Sequence, residues 1–80
     1  MAVTSVIVET EEGGSEAVLS SLALLENVSV FGVKDDQIVT VIEGDDMGVV
    51  EETLKGFYTI EKVIGVFPVF AGDYSTEAEG

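Results

Sequence analysis

Laid over itself with a shift of about 35 residues, the chain repeats its own pattern: Val6 falls on Val41, Ile7 on Ile42, Gly13 on Gly48 and Glu16 on Glu51. Leu19 then meets Leu54, Glu26 meets Glu61 and Val28 meets Val63, and many unlike pairs are mild exchanges, such as Val3 with Ile38 or Leu25 with Ile60. Each copy reads as strand, helix, strand. Two such βαβ units joined end to end make a two-layer domain in which helices cover one face of a single sheet and leave the other bare. What that bare face receives is the functional question.

The first copy begins with residues 3–9 (VTSVIVE), β-branched and mostly apolar, as a central strand requires. Glu11-Glu12-Gly13-Gly14 ends it, and Ser15 is placed to cap a helix carrying Val18, Leu22 and Leu25 at helical spacing. Asn27 is of the type that takes a left-handed conformation at a helix end. Residues 28–34 and 37–43 follow as strands around Asp35-Asp36, a tight-turn signal, and are expected to pair as a hairpin. Gly44-Asp45-Asp46 opens the second helix with an aspartate cap, and Met47, Val50, Leu54 and Phe57 form its buried stripe. Residues 63–70 are the last strand, and Pro68, which has no N–H for the ladder, puts it at a sheet edge.

The pattern predicts an α+β, ferredoxin-like βαββαβ two-layer sandwich with antiparallel sheet order 4-1-3-2. It forms one domain over residues 1–70, followed by an acidic, flexible tail over 71–80. Alternation along the two middle strands predicts a core-facing set of Val6, Val8, Val39 and Val41. The open face is then Ser5, Ile7, Thr40 and Ile42, with Val3 and Ile38 near its edge.

Charge narrows the partners. Sixteen carboxylates stand against three lysines (Lys34, Lys55, Lys62), a net charge of −13. A surface of that sign repels phosphate backbones and anionic headgroups, so neither nucleic acid nor a membrane is expected as partner. A cationic partner is steered in. The same acidity also serves plain solubility. A hydrophobic content of 46% against 24% charged residues marks a folded globule. No apolar run approaches the ~18–20 residues that cross a bilayer, and no basic n-region of a signal peptide is visible; a cytoplasmic location is expected.

The chemistries this fold hosts elsewhere lack their residues here. Without cysteine there is no thiolate metal or redox site, and without histidine no nucleophile–base pair. Without arginine the phosphate chemistry of acylphosphatases has no anchor, and the middle strands lack the aromatics and cations that RNA recognition needs. The carboxylate pairs lack calcium-loop spacing, and Gly13-Gly14 is a turn among acids rather than a phosphate cradle. The chain reads as a non-enzyme with no metal and no cofactor.

With these residues placed, the chain resembles the NapD family, assembly chaperones of the periplasmic nitrate reductase. The likeness covers nearly all of the expected domain: VTSVIVET at the start, LENVSVFGVKDDQIVTVIEGDD through the hairpin and VIGVFPVF at the end. Its pattern is a serine before an apolar triplet, a valine-rich strand entering a short turn, and an Ile-Val run ending in acids. A closing strand is matched by Val63, Ile64, Val66, Val69 and Phe70. Relatives commonly have Pro-Gly after the first helix and a histidine after the last aromatic, where this chain has Glu26-Asn27 and Ala71. The resemblance implies a cytoplasmic chaperone that binds the twin-arginine signal peptide of a molybdenum-dependent nitrate reductase, as a helix against the sheet. Binding would delay export until the cofactor is inserted.

A receptor for a basic, oily peptide needs carboxylates beside an apolar shelf. On this resemblance Ile7, Phe31, Thr40 and Ile42 make the shelf, Ser5 joins them in the site, and Asp35, Asp36 and Glu43 supply the carboxylates. Each has a plainer reading: packing for Phe31 and Phe67, a weak homodimer interface for Ile7 and Ile42, a solvated turn for Asp35-Asp36. The competing function is a small-ligand-sensing regulatory domain that dimerises through its sheet.

Overall fold

In a computed structural model of the chain, which describes residues 1–73, six elements follow one another. They are β1 (Ala2–Thr10), α1 (Ser15–Leu22), β2 (Val28–Lys34), β3 (Gln37–Gly44), α2 (Met47–Phe57) and β4 (Val63–Asp73). The strands form one antiparallel sheet in the order β2-β3-β1-β4, the ferredoxin-like arrangement expected. α1 packs over β2 and β3, and α2 over β3, β1 and β4. β4 continues to Asp73, and the rest of the expected 71–80 tail lies outside the described residues.

Local chemistry explains most boundaries. Gly13 takes φ +77°, which a side chain would resist, and the Gly14 N–H donates to the Glu11 carbonyl at 2.8 Å, closing the turn after β1. That turn closes one residue earlier than expected. Gly14 becomes the cap of α1 with no side-chain hydrogen bond, and Ser15 is the first helical residue rather than the cap. Asn27 does not adopt the left-handed conformation; its amide donates to the Glu43 carbonyl at 3.0 Å and to Thr53 Oγ1 at 2.9 Å. Those two bonds tie the loop to the end of β3 and to α2. The left-handed residue is Lys62, its counterpart in the second copy, at φ 78°. At α2 the expectation holds: the Asp46 carboxylate accepts from the Val49 N–H at 3.0 Å.

The core sits between helices and sheet, built from Val6, Val8, Val18, Leu22, Ile38, Ile42, Val50, Phe57 and Val66. Leu25, Met47 and Leu54 pack against it partly buried. Along β1 the faces fall as expected, with Val6 and Val8 fully buried and Ser5 and Ile7 half-buried on the other side.

Along β3 the expectation is reversed. Ile38, Thr40 and Ile42 are buried at 0% exposure, while Val39 and Val41 turn to the open face. The cause is the register: Thr4 pairs with Ile42, Val6 with Thr40 and Val8 with Ile38, and directly opposed residues share a face. Even positions of β1 therefore share a side with even positions of β3. The repeat shift of about 35 is odd, so carrying Val6 onto Val41 and Ile7 onto Ile42 crosses the sheet. Thr40 is tolerated inside because threonine has nearly the shape of valine, and its hydroxyl donates to the Ile38 carbonyl at 3.4 Å.

Both edge strands are broken by bulges. Val30 pairs with Thr40 and Gly32 with Val39, so Phe31 is the extra residue in β2. In β4 the extra residues are Ile64 and Val69, the latter directly after Pro68, which lies on this edge strand as its missing N–H requires.

Candidate functional site

Neither helix lies over the second face of the sheet. Ile7 stands at its centre, paired across the ladder with Val39 on β3 and Phe67 on β4. One step along the same face, Ser5 sits opposite Val41. Val39 is 40% exposed and Phe67 52%, and Ile7 and Val41 are half-buried only by their neighbours in the sheet. Gly32, opposite Val39, is on this same face, and beside it Phe31, the bulged residue, stands 72% exposed at the β2 edge.

Acids close the face at both ends. Glu9 lies opposite Gln37 at one end, and Glu43 opposite Val3 at the other. The stretch from Gln37 to Glu43 spans about 20 Å at ~3.4 Å per strand residue. The hairpin tip belongs to the Glu9 end: Asp35 holds φ 56° there, and the Asp36 carbonyl accepts from the Thr10 N–H at 2.8 Å.

The residues proposed from sequence therefore separate into three groups. Ser5 and Ile7 lie on the open face, and Phe31 stands exposed at the bulged β2 edge. Asp35 and Asp36 stand at one end of it and Glu43 at the other, too far apart to serve one arginine pair together. Thr40 and Ile42 are withdrawn from the set, because they are sealed in the core. Val39, Val41, Phe67 and Glu9 take their place. A signal for the first two was present in the strand itself: Gln37, Val39, Val41 and Glu43 form a set with polar ends, the mark of a solvated face.

On the helix side, a groove of about 350 Å³ lies between Leu25, Asn27, Thr53, Gly56 and Ile60. The amide of Asn27 and the hydroxyl of Thr53 are already spent on each other and on backbone carbonyls, so the groove presents little free polarity to a ligand. Among the described residues, no cluster of acids has the geometry to hold a metal ion. No helix among them is long and apolar enough to cross a membrane.

Comparison with known proteins gives this face a context. The profile of the NapD family, described as NapD protein, matches residues 1–73. The chain belongs to the NapD family. That membership places it among non-enzymatic proteins. Among solved structures, the chain is similar to the E. coli Tat proofreading chaperone protein NapD, at 19% identity. The two superpose with a TM-score of 0.80 over 98% of this chain and 84% of that one, a shared fold carried by patterning rather than by identical residues. Comparison with curated proteins returns no significant match.

Proposed function

We propose that this NapD-family chain is a cytoplasmic assembly chaperone whose open sheet face receives the twin-arginine signal peptide of a nitrate reductase catalytic subunit. Binding holds the precursor back from export until its molybdenum cofactor is in place. The observation that carries the reading is the face itself: Ile7, Val39, Val41 and Phe67 form an apolar strip that nothing among the described residues covers, on a chain of net charge −13. The solved relative named as a Tat proofreading chaperone supports it.

The division of labour follows from magnitudes. Exposed ion pairs contribute about 0–1 kcal/mol each, whereas burying apolar surface contributes roughly 25 cal/mol per Å². The strip therefore supplies most of the affinity, and the carboxylates supply approach and choice of partner. Calorimetric titration with a twin-arginine peptide, run beside a twin-lysine version, tests this. Tighter binding of the arginine peptide is expected, with amide shifts at Ser5, Ile7, Val39 and Val41 moving together. Absent heat, or equal heat from both peptides, overturns the proposal.

A further inference from the structure

Glu9 is an unusual residue for an interior strand, even near its end. It lies on central strand β1, half-buried, and makes no ion pair among the described residues. Its ladder neighbours are Gln37 on one side and Gly65 on the other, neither of them charged. Lys34, which pairs with Gln37, is two strands away, about 10 Å at the usual strand spacing.

Gly65 makes room beside it. A β-carbon at this position would lie 2.9 Å from Cε2 and Cζ of Phe67 and 3.7 Å from Glu9 Oε1. The Phe67 ring thus leans back along β4 over bare backbone, with the Glu9 carboxylate at its side. An aromatic ring with a carboxylate at its side matches what a guanidinium seeks: a planar charge-assisted hydrogen bond and a π-surface.

We propose that Glu9 and Phe67 form the seat for an arginine of the bound peptide, and so set its direction on the sheet. The inference rests on the peptide-binding reading above. The basic end lies at the Glu9 end, beside the hairpin tip, and the apolar segment runs over Ile7 and Val41 toward Val3. Lysine fills this seat less well, because its ammonium offers no planar fork to the carboxylate.

The test is titration of the full chain and of Glu9→Gln, Phe67→Leu and Glu43→Gln variants with the twin-arginine and twin-lysine peptides. Glu9→Gln is expected to weaken the arginine peptide about tenfold, bringing it near the lysine one, and Phe67→Leu to do the same in part. Glu43→Gln keeps the preference. A spin label at the peptide N-terminus should broaden the amides of Glu9 and Gly65 and spare those of Val3 and Glu43. Glu9→Gln binding like the unaltered chain, or broadening at Val3 and Glu43 instead, overturns the seat while leaving the peptide-binding reading intact. Should the unaltered chain fail to bind the arginine peptide, both fall. Should Phe67→Leu misfold, the Glu9→Gln titration and the spin label decide.

Discussion

Ile42 and Val39 are separated by three positions on one strand, yet one is sealed from water and the other is 40% exposed. Truncating each should therefore have unequal effects. Ile42→Ala leaves a cavity in the core and is expected to lower stability by about 2–5 kcal/mol. Val39→Ala removes a partly solvated side chain and should change stability by less than about 1 kcal/mol. Urea denaturation of the two variants checks this, and equal losses would contradict the register. Residue character in β1 was enough to place Val6 and Val8 inside. In β3 it misled, because a polar Thr40 looked like a surface residue and carried Ile42 outward with it. Glu9 and Phe67 gave no comparable hint, since the two come together only where β1 pairs with β4.

Among the elements, the two helices are held in different ways. α2 has a side-chain cap at Asp46, a long apolar stripe ending in the fully buried Phe57, and Lys55 in its last turn. α1 is shorter, has no side-chain cap, and depends on Val18 and Leu22 packing into the core. Asp46→Ala should thus cost about 1 kcal/mol, read as a lower urea midpoint, while Asp46→Asn, which can still accept from Val49, should cost little. The edge strands have their own protection. Bulges at Phe31, Ile64 and Val69, with Pro68 between the last two, interrupt the ladder on both sides and discourage pairing with another chain. Pro68 announced its edge position in the sequence; the bulges did not, because an extra residue is defined only against the strand it faces.

For the whole molecule, sixteen carboxylates on 80 residues give a field that reaches well beyond any one contact. Raising the ionic strength from about 0.01 M to 0.15 M shortens the screening length from ~30 Å to ~8 Å. Association with a basic peptide should slow by on the order of tenfold across that range, with dissociation nearly unchanged. Stopped-flow measurement with a fluorescent peptide checks both rates, and an association rate indifferent to salt would leave the acidity with solubility as its only role. The sequence by itself determined the order and kind of the six elements, the edge position of β4, the aspartate cap of α2 and the sign of the field. All of these are local properties or sums over the chain. Only the tertiary structure decided which side of β3 meets water and which acid stands beside which ring. Both depend on how β1 pairs with its neighbours, and sliding a strand by one residue turns every side chain on it to the opposite face.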